Sequence, residues 1–464
     1  MRRGSFVFAL LAPFILAPAA RAETAPFLFS GPLHSLLAPG ATAGASTSGL
    51  PFEIRLSAGG QTIEGGPFDL APPGAAKPFR LTLSGAAFAA GKLSAKAAIA
   101  NGTGAALEGL RLDLVQATET FTRKDAQGKA VTETRPQKVV AAPLHFGDLG
   151  DGESSDALAL EATGLAFGSE TTQIVVRGVV SGLRYEKTLH NPTACSSGEI
   201  DVDPEGNLYL ADTCGNRIAK VTPGDVASTA VELPDQTKGS ARDAKTGRLA
   251  ATYTNYPEIR LIGADKSVLA TIGEAQGLDT YPGFLRFDAQ GTLWAEAGAS
   301  IARIGADHKL DLRLRTIAGT DLDSGLTFDL APDGTLWVVS SGALWHGGAD
   351  GKKGARVAGP GVRPGELAAP RAPRVAPDGS VWVVEAADSN LGSADRVSVF
   401  DREGHLLRVF GRGARAPLPA YPDAYHEAQL YAGLDLAFGP EDRVYIAAQR
   451  PGENGECVMV FRRF

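Results

Sequence analysis

Soft metal-binding and redox chemistry has little to work with in this chain. Its 464 residues include three cysteines, two methionines and seven histidines. The histidines (34, 145, 190, 308, 346, 405, 426) are scattered, with no H-E-x-x-H helix pair and no C-x-x-C-H haem attachment. A G-x-S-x-G nucleophile elbow and a phosphate-cradling glycine loop are also missing. Asp201-x-Asp203 lacks the five or more oxygen ligands that calcium takes and reads as turn chemistry. The net charge is a mild −7, with no basic stripe interleaved with aromatics, which excludes a general nucleic-acid binder. Beyond the N-terminus no run approaches the ~18–20 apolar residues of a transmembrane segment. These absences predict no cofactor, no metal and no catalytic constellation.

What the chain has in quantity is 56 glycines and 29 prolines, the composition of many turns and short strands, and hence an all-β fold. At the N-terminus Arg2-Arg3, an apolar stretch from Phe6 to Leu16 and the small-x-small triplet Ala20-Arg21-Ala22 predict a signal peptide over residues 1–22 and a periplasmic or secreted product. Residues 23–75, rich in Ala, Gly, Pro, Ser and Thr, read as a low-complexity segment or linker with some strand, as at Pro51–Leu56. Over 76–187 strands alternate with polar turns, the clearest being 79–83, 107–114, 138–146, 158–162 and 173–180. That density predicts an antiparallel β-sandwich.

From 188 to 464 one phrase recurs six times, first as Asp203-Pro204-Glu205-Gly206-Asn207-Leu208-Tyr209. Each copy is a tight turn between alternating apolar runs, the hairpin of one β-unit. The turn glycines 206, 247, 291, 334 and 379 are 41, 44, 43 and 45 residues apart, the period of a propeller. The sixth copy places Asp442 at the glycine position, 63 residues on, which implies an insertion at roughly 411–430 carrying Arg412, Arg415, Tyr421, Tyr425 and His426. The chain ends straight after the third strand of the sixth unit, so its fourth strand is expected from Leu183–Leu189, closing the ring.

The repeat supplies columns. Three residues after the turn stand Tyr209, Ala250, Trp294, Trp337, Trp382 and Tyr445, read as packing between blades. Five residues before it stand Asp201, Arg242, Arg286, Asp329, Arg374 and Ala437, with Glu199 and Asp435 two residues earlier still. On innermost strands these charges predict a ring lining the channel, either a ladder of ion pairs or a site for a small anionic or hydroxyl-rich ligand. Across the first hairpin Cys195 and Cys214 fall nearly opposite, which predicts a disulfide in an exported protein and leaves Cys457 as the spare thiol or a competing partner for Cys195.

Two resemblances add to this. Glu199 to Thr213, continued by Gly215-Asn216-Arg217-Ile218, resembles the NHL repeat, with Asp212 and Arg217 organising the loop of the first blade; the later blades keep the hairpin and lose that tail. Asn101-Gly102-Thr103-Gly104 and Phe146 to Ser154 resemble secreted Ig-like, CARDB-like sandwiches, over about a quarter of the chain. The expected architecture is a six-bladed NHL-like β-propeller preceded by an Ig-like antiparallel β-sandwich. The expected function is that of a monomeric extracytoplasmic binding protein for a protein, peptide or glycan. Two alternatives stand beside it: a propeller enzyme of the gluconolactonase or lyase type, and an inert cell-envelope module. For the enzyme, Glu199, Asp201, Asp329 and Asp435 are the carboxylates available to a channel cation, and three arginines in the same ring would repel it.

Overall fold

Alternating apolar residues and glycine turns produce strands almost throughout, as the computed structural model shows. It describes residues 49–57, 62–169, 171–190, 196–386, 395–411, 433–449 and 456–464. Every ladder between named strands is antiparallel, and among the described residues no helix is long and apolar enough to cross a membrane.

The repeat phrase forms the expected hairpins. Asp203 N donates to Asn207 O at 3.0 Å and Gly206 N to Asp203 O at 2.9 Å, and the same closing bond recurs in all six copies. Five turn glycines hold φ between +72° and +86°, and Asp442 takes the same left-handed conformation at +58°. Asp and Asn tolerate that region better than bulkier residues do, so the sixth turn survives without glycine.

Five blades are four-stranded meanders. Their innermost strands are Ser196–Val202, Thr237–Arg242, Pro282–Phe287, Thr327–Leu330 and Pro370–Val375. The sixth blade contributes Gly433–Phe438, Arg443–Gln449 and Glu456–Arg463. Each innermost strand lies against the next, and Gly433–Phe438 lies against Ser196–Val202, so the ring closes. The aromatic column packs between blades: Trp294 with Phe328 and Val338, Trp337 with Val381 and Val383, and Tyr445 with Ile200 and Leu210.

The fourth strand of blade 6 is the second half of Thr171–His190, paired from Leu183↔Arg463 to His190↔Cys457. The first half of the same strand pairs with Leu50–Ser57 on one side and Leu107–Lys124 on the other. One strand therefore belongs to the sandwich and to the propeller, and the two share a nine-stranded sheet.

The second sheet of the sandwich runs Phe68–Leu70, Phe79–Ala89, Lys92–Ala100, Leu158–Thr163, Val140–Ala141. Phe52, Ile54 and Leu56 of one sheet share a core with Phe79, Leu81 and Leu93 of the other. Three strands between residues 50 and 70 thus pair into these sheets, N-terminal to the start expected at 76. The single strand expected over 138–146 is two: Val140–Ala141 joins one sheet and Leu144–Leu149 the other. Pro143 stands between them, and a residue without an N–H interrupts a ladder at such a crossing.

Leu183 is fully buried and pairs with both Glu108 and Arg463, at the point where sandwich and blade meet. We expect Leu183→Ala to lower stability by about 2–5 kcal/mol and calorimetry of the native protein to show one unfolding transition. Two separated transitions would mean that the shared strand does not couple the parts.

Candidate functional site

An innermost propeller strand has one edge with no strand beside it, and the N–H groups along that edge need acceptors. The charged columns supply them. Glu199 Oε2 accepts from Ser240 N, Asp201 Oδ2 from Arg242 N and Asp329 Oδ2 from Val375 N, each at 2.8 Å. Asp435 Oδ2 accepts from Ile200 N at 3.2 Å. In every case the carboxylate of one blade reaches the innermost strand of the next.

Four carboxylates in the channel require counter-charge, and two arginines provide it. Arg374 binds Asp435 through Nε (3.0 Å) and Nη2 (2.9 Å). Its Nη2 also donates to the Ile200 carbonyl and lies 3.5 Å from Asp201. Arg286 Nη2 donates to Asp435 at 3.0 Å and its Nη1 to the Leu285 carbonyl at 2.7 Å. Its Nε stands 4.0 Å from Asp329, and its guanidinium lies 3.8 Å from the Phe284 ring centroid. Asp435, Arg286 and Arg374 are 1%, 2% and 7% exposed, so these are desolvated charges for which pairing is obligatory. Asp435 is the hub, bridging arginines of blades 3 and 5 from blade 6.

The protonation states follow from this geometry. Burial pushes Glu199 up to about 8; Asp435 and Asp201 add to the rise, against Arg286 and the Ser240 N–H. Burial also raises Asp201 and Asp329, with Arg374 and Arg286 opposing. Burial works against the charge of Arg374, but Asp435, Asp201 and Asp329 outweigh it and raise its pKa. The site holds cations firmly and can keep Glu199 protonated near neutrality, as a hydrogen-bond donor.

Six of the seven expected ring residues meet in the channel and one does not. Arg242 offers its backbone N–H to Asp201, but its guanidinium lies 5.2 Å over the Tyr209 ring, between blades 1 and 2. Sequence reasoning passed over Glu296, a lone charge in the apolar run Leu293–Ala297 and the signal that could have found it. Glu296 is buried; burial raises its pKa, with Lys238 and the nearby backbone N–H groups of Gly325, Gly298 and Gly283 opposing. A side chain at residue 283 would put Cβ 2.1 Å from Glu296 Oε2, and one at 239 would put it 2.9 Å from Glu199 Oε1. The glycines make room for the carboxylates. Glu385 was missed too: it is fully buried and binds Arg396 at 2.9 Å and Ala368 N at 2.7 Å.

Asp212 and Arg217 pair at 2.8 Å, and Asp212 accepts from Gly215 N at 3.0 Å, fixing the first blade's loop. Cys195 and, apart from Gly411, the insertion at 411–430 lie outside the described residues. Among the described residues no three His, Cys, Asp or Glu side chains converge as metal ligands.

No family model matches the chain, and no curated protein matches it. Solved structures do resemble it. A gluconolactonase from Xanthomonas campestris is 18% identical over 61% of this chain and 90% of its own, with a TM-score of 0.43. A virginiamycin B lyase from Staphylococcus aureus is 12% identical over 76% of this chain and 99% of its own, at 0.39. A Bacteroides thetaiotaomicron protein of unknown function is 12% identical over 83% of this chain and 98% of its own, at 0.46. The neighbours are propeller proteins, as the six-bladed ring here is.

Because the folded-state pKa of Glu199 is raised from 4.5 to about 8, the folded protein binds more protons than the unfolded chain between those values. That contribution to stability is complete below about 4.5 and is lost as pH rises through about 8. Glu199→Gln is expected to flatten the decline of Tm with pH in this window. An unchanged slope would show that Glu199 titrates normally.

Proposed function

We propose that the chain is an exported binding protein. In this reading an NHL-type propeller, carried on an Ig-like sandwich, recognises a protein, peptide or glycan at the end of the ring opposite the repeat hairpins. The observation that carries it is a pair of exposed tyrosines at that end. Tyr256 follows the second strand of blade 2 and Tyr281 precedes the innermost strand of blade 3; they are 50% and 54% exposed. Tyr256 rests edge-on against buried Tyr253, ring centroids 6.3 Å apart, so it is held before any ligand arrives. Lys238, exposed at the same end, leans toward Glu296. Exposed aromatic side chains are common anchors of recognition surfaces.

The channel ring takes a structural role in this reading. Arg286 and Arg374 are both committed to Asp435, so neither fork is free for a substrate. The NHL-type reading draws support from the Asp212–Arg217 pair, and export from the N-terminal leader and the proposed Cys195–Cys214 disulfide. A non-reduced digest analysed by mass spectrometry should contain the cross-linked 195–214 peptide; a free thiol at Cys214 would remove that support.

The binding proposal is tested on glycan and peptide arrays with three proteins. Wild type should give a defined set of ligands. Tyr256→Ser/Tyr281→Ser should lose them by about tenfold or more, with stability changed by no more than about 1 kcal/mol. Asp435→Asn should lose about 3–5 kcal/mol of stability and, while folded, keep the ligand pattern. Binding that survives in the tyrosine variant and disappears in the folded Asp435→Asn protein would place recognition in the channel and overturn the proposal.

A further inference from the structure

Each four-stranded blade ends on an outer strand with no neighbour beyond it in its own sheet. Such an edge presents a row of unpaired N–H and C=O groups, and proteins commonly guard it with charge. The outer strands Ala227–Glu232, Leu310–Leu314, Gly354–Ala358 and Leu406–Phe410 follow that rule. They carry Glu232, Asp311 with Arg313, Arg356 and Arg408 respectively. Thr171–His190, which closes blade 6, carries Arg184, Glu186 and Lys187 in that part.

Blade 2 breaks the rule. Its outer strand, Val268–Ile272, reads Val-Leu-Ala-Thr-Ile and has no charged residue. Val268 and Leu269 are 57% and 47% exposed. The strand pairs only with Ile259–Ile262, and among the described residues its outer edge makes no other backbone hydrogen bond. An uncharged, apolar free edge is a template for a further strand.

The charges at its two ends say which strand fits. Lys266 stands in the turn before it, at a φ of +68°, and Glu274 opens the 3-10 turn Glu274–Gln276 that follows. Both are exposed, and among the described residues neither is in an ion pair. Ala270 lies midway between them. If the strand pairs antiparallel with a second copy of itself about Ala270, Val268 meets the partner's Ile272 and Leu269 meets the partner's Thr271. Lys266 then comes opposite the partner's Glu274, and the two-fold axis makes every one of these pairs twice. A slip of one residue in one direction sets Asp265 against Glu274, like against like. A slip in the other leaves both charges unmatched. The ends therefore select one register as well as one partner.

We propose that this edge joins two copies of the chain. The outer strands of blade 2 pair antiparallel about Ala270, and two four-stranded blades become one continuous sheet. This departs from the monomer expected of the sequence. An unrelated strand would find the same backbone groups and would lack the matched ends. A five-residue ladder falls short of the ~1,200–2,000 Å² that stable complexes bury. The dissociation constant is accordingly expected to be on the order of 10–100 µM.

The test is sedimentation equilibrium of the full mature chain from about 1 µM to about 1 mM, which should follow a monomer–dimer equilibrium in that range. Leu269→Lys puts charge on the exposed edge and should weaken the dimer by about tenfold or more, with Tm unchanged. Val226→Lys, at a site 62% exposed on blade 1, should leave it intact. Lys266→Glu and Glu274→Lys should each weaken it by about fivefold, because each sets like charges opposite one another. An equimolar mixture of those two variants should recover it as a heterodimer, in which both end pairs are again of opposite sign. A chain that stays monomeric throughout overturns the proposal. So does a dimer that Leu269→Lys leaves intact, or one that the mixture fails to recover.

Discussion

The architecture depends on one twenty-residue strand, Thr171–His190. An incomplete blade would expose the edge of Glu456–Arg463, a row of unpaired backbone groups open to other chains. The strand covers that edge with its second half while its first half is sandwiched between two sandwich strands. Ring closure and domain attachment are therefore carried by ladders of the same strand. A flexible linker would let the sandwich swing freely, whereas a continuous strand transmits any tilt of the sandwich into blade 6. Around the same junction Arg443 and Arg462 converge on Glu186, so the outer face of the closing strand is tied to the last two chain strands by charge as well.

A second constraint runs through the channel. Six innermost strands pointing free N–H groups at a common axis create a demand for acceptors, and carboxylates satisfy it at four places. The remedy has its own cost, because carboxylates packed this closely repel one another and lose hydration. Arg286 and Arg374 offset part of that repulsion, and the raised pKa of Glu199 lowers its share of the charge. The arginines are thus a consequence of the carboxylates, which are a consequence of strand edges. This ordering fits a charged column that is irregular from blade to blade: both channel arginines converge on the one carboxylate Asp435.

Much of this was legible in the residues, and the failures are instructive. The repeat gave blade number, hairpin geometry and even the glycine-like turn at Asp442, because each is a local property of a few residues. The closing strand followed from counting strands in the last unit. Ring membership was readable for Asp201, Arg286, Asp329 and Arg374, since strand periodicity fixes which face a residue lies on. It failed for the Arg242 side chain, because a long flexible stem lets the head group leave the column its Cα occupies, here to lie over Tyr209. The hub status of Asp435 was invisible, because partners 149 and 61 residues away are joined only by the closed ring. Pro143 was readable in principle, yet the alternation around it looked like one strand when it was two.

Two arginines in different settings show how their partners decide what burial does to a charge. Arg374 and Arg408 are both drawn out of bulk water; Arg374 shares Asp435 with Arg286, and Arg408 faces Arg111 and Arg463. Arg374 has a bidentate carboxylate at 2.9–3.0 Å and two further acidic groups nearby, which raise its pKa. Arg408 has a neutral hydroxyl, and burial with like charge lowers its pKa. If burial were the only factor, both would shift the same way. The carboxylates around Arg374 outweigh its desolvation, and those near Arg408 do not.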